Sequence, residues 1–478
     1  MSSMLPTLSF PLLSLWLLLP GSLLLVACLA SFRGSKPATA RSWTWAERLL
    51  QVFILVTVLI GLLLLVPDAG VVASLERASG VLGLFPDGLA FWMTLMVAFI
   101  GWVILRYARD YLRADPAGEQ FLPWFLTTVV SVLVLVTTDN LFLLAGAWIG
   151  VTLSLHQLLI LYSDREQARL AAALKCAQIP FHGWLLRVME APTPVSALLH
   201  AGVINLGGFL WLRLFPVFDG FTAGHWVLLV FGGATAVIAS LAMMTQNSVK
   251  HALVWSTNAQ MGFMLFEIAL GAYTLAFLHL LAHSLYKAHS FLAAGRTVNA
   301  SVVQFDSGVC RLQFGLSLVA MGAAAALLWV MPALVEGKSV LAAVLVLAVG
   351  AMVMGAPTGS RLVTRLWTLM LAVALVPTYA ALNALLAPAL PEAPSLSLPV
   401  VVSVTAWGLV MTLALLSWVM LFRPQSAWFD RLHWNMNQGL YLDRPFERLT
   451  RRWAGRLLAP SNANGHQTAT RTVSGDVA

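Results

Sequence analysis

The run Phe277-Leu-His279-Leu-Leu-Ala-His283-Ser-Leu-Tyr-Lys287-Ala-His289 sets three titratable side chains four residues apart. At about 100° per residue, each step of four drifts only about 40°, so His279, His283 and Lys287 share one helix face. They climb roughly 12 Å along it, at about 1.5 Å per residue. Histidine changes charge near neutral pH, and a desolvated lysine can be brought into the same range. Such a column can hand protons along where water fills the gaps. A single buried histidine usually does no more than satisfy a neighbouring helix. Three titratable groups on one face, with His289 just beyond them, favour a relay over packing.

A second cluster reads Lys175-Cys-Ala-Gln178-Ile-Pro180-Phe-His182-Gly-Trp184, followed by Glu190-Ala-Pro192-Thr-Pro194-Val-Ser196-Ala-Leu-Leu-His200. Pro180 breaks any helix running through it and frees carbonyls beside Lys175. Pro192 and Pro194 restart a helix and put His200 about two turns in. From spacing alone, a polar path and a solvated cytoplasmic loop both fit this cluster. Lys250 and His251 open another apolar run, where snorkelling to the interface explains them well. Glu267 lies near the far end of that run, within reach of Arg213, so an ion pair and a proton exit both stand. Asp139 and Asn140 sit at a helix boundary as capping residues.

The elements that position these residues follow from composition. Of 478 residues, 59% are apolar and 10% charged, with a mean hydropathy of +0.84. Soluble domains have about 45–50% apolar and about 25% charged residues. The balance excludes a soluble enzyme, a nucleic-acid-binding module and a disordered chain. Cys28, Cys176 and Cys310 are isolated, so neither a disulfide framework nor a CxxC metal site is available. No phosphate-binding glycine loop, HExxH pair or Ser-His-Asp arrangement appears, and no cofactor or metal site is expected in this chain.

Apolar runs long enough to span a bilayer lie near 8–31, 48–67, 87–107, 119–138, 140–162, 194–215, 225–245, 252–270, 273–295, 314–334, 339–357, 366–388 and 399–422. The first lacks a basic start and reads as a span, not a cleaved signal. Leu25-Val-Ala-Cys28 looks like a lipoprotein cleavage box, but no positive charge precedes it. The 18 Trp read mostly as interfacial anchors and the 17 Met as packing.

Segment 163–193 is too interrupted for a clean span. If it does not cross and the N-terminus lies outside, all of the 28 Lys and Arg except Arg77, Arg213, Lys338 and the intramembrane Lys287 fall on the cytoplasmic side. The positive-inside rule prefers this arrangement. The expectation is an all-α polytopic membrane helix bundle of about thirteen spans, N-out and C-in. Segment 163–193 would be re-entrant or lie at the cytoplasmic face, where irregular backbone needs protein or a water-filled cavity around it. Residues 1–422 form the transmembrane domain. Residues 423–478 form a basic cytoplasmic tail, suited to partner docking or lipid headgroups, with a disordered end.

The two clusters resemble the central motif of the proton-translocating antiporter-like subunits, found in respiratory complex I and in Mrp cation/proton antiporters. Trp255-Ser-Thr-Asn-Ala-Gln-Met-Gly-Phe263 through Phe291-Leu-Ala-Ala-Gly295 is similar to the same family. The resemblance runs from about 85 to 295 and is weak beyond 300. Within the family, His283–Leu292 and Asn437-Gln-Gly-Leu-Tyr-Leu-Asp443 look most like the DabB branch, the membrane subunits of DabA–DabB inorganic carbon accumulation complexes. Complex I subunits of this type continue into a lateral helix and a final span, whereas this sequence ends in a basic tail.

The resemblance implies a transport subunit, not an enzyme, in the bacterial inner membrane. It would admit protons or Na+ and energise a DabA-like cytoplasmic partner, a zinc carbonic-anhydrase-like protein that hydrates CO2. Zinc would belong to that partner. The resemblance also implies a path through Lys175, His200, Lys250, His279, His283 and Lys287, with Glu267, Glu190, His182 and His289 accessory. Two positions depart from the family. Its usual Trp-Glu-Gly reads Trp148-Ile149-Gly150 here, and the lysine of its second broken helix has no counterpart. About one and a half helices are also missing between Tyr162 and Lys175. These departures leave open an Mrp-like Na+/H+ antiporter, a complex I subunit, or a passive anchor for a soluble partner.

Overall fold

The computed structural model describes residues 5–32, 36–64, 84, 87–115, 117–161, 178, 182–187, 189, 191–218, 222–296, 311–331, 339–355, 361–390, 399–422, 427–445 and 448. Among the described residues the chain is helical, apart from an isolated bridge between Leu84 and Thr138. The first helices are α1 (Leu5–Phe32), α2 (Lys36–Leu64), α3 (Gly88–Tyr111), α4 (Gly118–Thr137) and α5 (Leu141–Leu159). A short α6 (Gly183–Arg187) precedes α7 (Thr193–Ala201), α8 (Leu206–Phe218), α9 (Thr222–Val227) and α10 (Gly233–Met244). Then come α11 (Val249–Ala269), α12 (Tyr273–Ala293), α13 (Arg311–Val330), α14 (Ser339–Met354), α15 (Leu362–Leu386), α16 (Val400–Phe422) and α17 (Ala427–Asn437).

Ten helical segments are long and apolar enough to cross a membrane. They are α1 to α5, α7 joined to α8, α9 joined to α10, α13, α15 and α16. Helices α11 and α12 are 21 residues each but carry the polar residues. Helix α14 is apolar and shorter, at 16 residues. Every apolar run read from the sequence falls on one of these helices. Segment 163–193 is described only at Gln178, 182–187, 189 and from Ala191 onward, so the expected re-entrance and the missing helices lie outside the described residues.

A large apolar core joins α1 to α9, α11 and α12 and takes in residues of α14, α15 and α16. A second, smaller core knits α13, α14 and α15 through residues such as Ala320, Ala324, Val349, Val353, Ala372 and Val376. Small residues there let helix backbones come close, the usual basis of helix packing in lipid. Trp16, Trp43, Trp184 and Trp255 are buried and fill gaps between helices. Trp329, Trp367, Trp418, Trp428 and Trp434 are exposed, as anchors would be.

Two irregularities interrupt the bundle. After α7 the backbone leaves the helix at Gly202 and makes a 3-10 turn over Val203–Asn205. The Asn205 side chain donates to the freed Ala201 carbonyl at 3.1 Å. A π turn at Leu228–Gly232 then links α9 to α10; such turns occur often at functional sites. This turn presses on α11 backbone to backbone. A Cβ on Gly262 would collide with the Gly232 carbonyl and the Ala236 amide.

The tail is folded where it is described. Phe429 and Met436 of α17 bury against Val237, Leu241 and Met420. Asn437 Nδ2 donates to the Thr245 carbonyl at 2.8 Å, and Gln246 Nε2 donates to the Asn437 carbonyl at 3.1 Å. Three consecutive residues then take left-handed backbone: Gly439 (φ 57°), Leu440 (φ 56°) and Tyr441 (φ 57°). For the two non-glycines this costs roughly 1–2 kcal/mol each. Trp434 Nε1 donates to the Tyr441 hydroxyl at 3.0 Å. The Arg444 guanidinium lies 3.8 Å from the centre of the Tyr441 ring.

The π-turn contact can be tested directly. Gly262→Val should destabilise the detergent-solubilised protein by about 1–3 kcal/mol through overpacking against backbone. Gly315→Val, where a Cβ meets open space, should leave the melting midpoint unmoved. Equal midpoints for the two variants would refute the close contact.

Candidate functional site

Helix α12 presents His279, His283 and Lys287 towards α7 and α11. His283 and Lys287 are buried, and His279 is nearly so. Lys287 Nζ donates to the Leu253 carbonyl at 2.9 Å. The Thr257 hydroxyl donates to that same carbonyl at 3.0 Å. The lysine therefore leans on the first turns of α11 and meets no carboxylate there. Its ammonium also lies 5.5 Å from the centre of the Tyr286 ring.

At the other end of the column, His279 bridges two residues of α11. Its Nδ1 lies 2.9 Å from Glu267 Oε2 and its Nε2 2.6 Å from Gln260 Oε1. Gln260 and Glu267 are seven residues apart, two turns along one face. Glu267 thus pairs with His279 and not with Arg213, as the sequence had left open. Arg213 of α8 instead pairs with Asp87, whose other oxygen caps α3 by accepting from the Ala90 amide at 2.7 Å. The cap draws the arginine away from α11. A cavity of about 360 Å³ opens beside Glu267, Gln260 and His279, walled by α14 and by Thr378 and Tyr379 of α15.

Between these ends, the His279 and His283 rings stand edge to face, with centroids 6.3 Å apart. That separation is too long for a direct proton transfer. His283 also faces the backbone of His200. His200 is fully buried and stacks on Phe291 at 4.5 Å. Neither of its ring nitrogens has a hydrogen-bond partner among the described residues. The same is true of His283 Nε2 and of both amide atoms of Asn258. Asn205, at the helix break, donates to Ser284 Oγ at 2.6 Å and leaves its own carbonyl oxygen unpartnered. These unpaired atoms belong to residues of α7, α11, α12 and the turn after α7. Buried polar atoms are ordinarily satisfied by protein or ordered water.

The remaining residues singled out in the sequence divide. His182 is buried, with its ring 5.1 Å from that of Trp255. Lys250 is half-buried in the first turn of α11, and His251 and His289 are exposed. Lys175 and Glu190 lie outside the described residues. Asn140 caps α5 as expected, accepting from the Phe142 and Leu143 amides. The structure adds Gln260, Asn258, Asn205, Ser284 and the Leu253 carbonyl to the site. Gln260 and Asn258 stand within the Trp255–Phe263 motif, but as neutral amides they carry no charge that marks them in an apolar run. Among the described residues no group of three or more His, Cys, Asp or Glu is placed to hold a metal ion.

Comparison with known proteins places this geometry in a family. Residues 89–387, more than half of the chain, match the family described as NADH:quinone oxidoreductase/Mrp antiporter, TM. A probable inorganic carbon transporter subunit DabB of Hydrogenovibrio crunogenus is 38% identical, over 43% of this chain and 51% of the relative. The probable subunit DabB2 of Halothiobacillus neapolitanus is 36% identical, over 46% and 51%. NADH-ubiquinone oxidoreductase chain 5 of Balaenoptera physalus is 32% identical, over 42% of each. The chain spans about half the length of the curated relatives it matches. In three dimensions it is similar to a chain of the Mrp complex from Dietzia sp., with a TM-score of 0.53 and 18% identity, over 94% of this chain and 60% of that one. That likeness concerns the fold alone. With ten membrane-length apolar helices and a family match across the helices that build the site, this multi-pass membrane protein belongs to the NADH:quinone oxidoreductase/Mrp antiporter transmembrane family.

Proposed function

We propose that this chain is the cation-conducting, energy-coupling membrane subunit of an inorganic carbon uptake complex, and that the cation is a proton. The observation that carries this reading is the buried column His279, His283 and Lys287, with unpaired polar atoms of His200, His283 and Asn258 on the helices around it; in this reading water fills a chamber between those helices. A charge at mid-membrane costs about 2.5–3.5 kcal/mol on insertion scales and usually marks an ion path. The similarity to DabB proteins supports the carbon assignment.

In this reading the cavity beside Glu267 and His279 receives the proton from the outer side. Water carries it across the gap to His283, because the two rings stand too far apart to exchange it directly. Lys287 accepts it next, with the Leu253 carbonyl holding the ammonium. His200 and Asn258 anchor the water that fills the chamber. Lys250 leads the proton out at the end of α11 that faces the tail. His289 and His182 flank that exit, and Lys175 with Glu190 feeds the chamber from the interrupted segment. The partner is a cytoplasmic DabA-like protein that carries zinc. Zinc activates a water that adds to CO2, giving bicarbonate and a proton. The Arg-rich tail beyond 445 meets the partner or anionic lipid headgroups.

The family match, whose description names the Mrp antiporter, supports a second reading, a Na+/H+ antiporter module. Purification in mild detergent separates the two. One large soluble protein bearing about one zinc should accompany the chain, whereas several small membrane subunits would point to the antiporter or to a complex I module. Within the purified complex, Lys287→Ala should abolish carbon-dependent growth while assembly persists. Unchanged growth with that variant would sink the relay and leave a passive anchor.

A further inference from the structure

The tail turn touches the path beside His182, which the conduction reading sets at the exit, and at Trp255, which that reading does not use. Gly439 sits on the indole of Trp255: a Cβ there would overlap the Trp255 ring and lie 3.5 Å from His182 Nε2. Four residues on, Asp443 packs on Gly183, the first residue of α6. Asn258, with both amide atoms unpartnered, lies one turn beyond Trp255 on α11. The His182–Trp255 pair thus joins the start of α6 to α11, and Gly439 covers that pair.

We infer that the left-handed turn Gly439–Tyr441 is a gate on this end of the path, with Gly439 as the positioning residue that holds Trp255 against His182. Three features suit it to opening as a unit. Its backbone is strained at Leu440 and Tyr441. Strained conformations persist only where surrounding structure holds them, and they cluster at switch regions. The described contacts that pin this turn centre on α17 and the α10–α11 connection: the reciprocal Asn437–Thr245 and Gln246–Asn437 hydrogen bonds, the Trp434 and Arg444 contacts to Tyr441, and Leu440 against the cluster of Phe429 and Met436. Finally, α17 leads directly into the turn, so displacement of α17 pulls Gly439 off Trp255. The same residues explain why glycine is needed at 439, since any side chain would displace the indole.

This inference rests on the conduction reading, and the experiment separates the two. The full chain, with its partner if one co-purifies, is reconstituted in vesicles. Proton flux is read with an internal pH dye, and hydroxyl-radical labelling of Trp255 is read by mass spectrometry. Gly439→Ala should raise Trp255 labelling several-fold and raise flux at least threefold. The added flux should vanish in the Gly439→Ala/Lys287→Ala double variant. Asn437→Ala, which cuts the clamp but keeps the glycine, should do the same to a lesser degree and guards against misfolding of the first variant. Raised labelling with unchanged flux, in vesicles where the parent protein conducts, overturns the gate and leaves a packing turn. Unchanged labelling in both variants overturns it as well. If the parent protein carries no flux above that of Lys287→Ala, conduction itself fails. Labelling still reports on the turn in that case, and a closed Trp255 in both variants rejects the cover.

Discussion

A lysine ammonium buried in an apolar helix bundle needs hydrogen-bond acceptors, and the structure around Lys287 is organised by that need. Its described hydrogen bond goes to a backbone carbonyl, that of Leu253, in the first turns of α11. A carbonyl can take a second donor without leaving its helix, and Thr257 shares it. This arrangement holds the charge weakly compared with a carboxylate partner. A weakly held proton suits a relay better than a structural ion pair. The glutamate in the column stands at the opposite end, where it fixes His279.

The helix breaks serve the same constraint. A continuous helix satisfies its own backbone and offers water nothing. At Gly202 the helix stops and Asn205 bends back to the freed carbonyl, its other bond going to Ser284 on α12. That interruption brings α7 and His200 against the column with polar atoms to spare. The π turn before α10 works differently. It sets glycine backbone against glycine backbone, so α11 sits close enough to α10 for Trp255 to be enclosed. Breaks of this kind are tolerated at membrane depth because protein surrounds them.

The tail extends the logic beyond the bundle. It reads in sequence as a charged extension, yet its first part forms a helix and a strained turn pinned to the α10–α11 connection. The cost of two left-handed non-glycine residues, roughly 1–2 kcal/mol each, is offset by the burial of Phe429 and Met436, about 1.5–3 kcal/mol each. The turn therefore stays closed while α17 is docked.

Much of this was legible in the sequence. Composition and run length determined a polytopic helical membrane protein, because hydrocarbon admits little else. The spacing of His279, His283 and Lys287 determined a shared face, because helix periodicity is local. The same locality gave the Asn140 cap. Partners across helices were not legible. Arg213 was placed within reach of Glu267 by the sequence, and only the placement of α3 and α8 showed that it pairs with Asp87. Gln260 and Asn258 are neutral amides whose role comes from what faces them. The break at Gly202 follows from Asn205 and Ser284 meeting, residues 79 positions apart. The left-handed turn exists because Trp255 and His182 leave room for a glycine and nothing larger. Periodicity and hydropathy are properties of neighbours along the chain, whereas pairing, enclosure and strain arise only when distant helices share one volume.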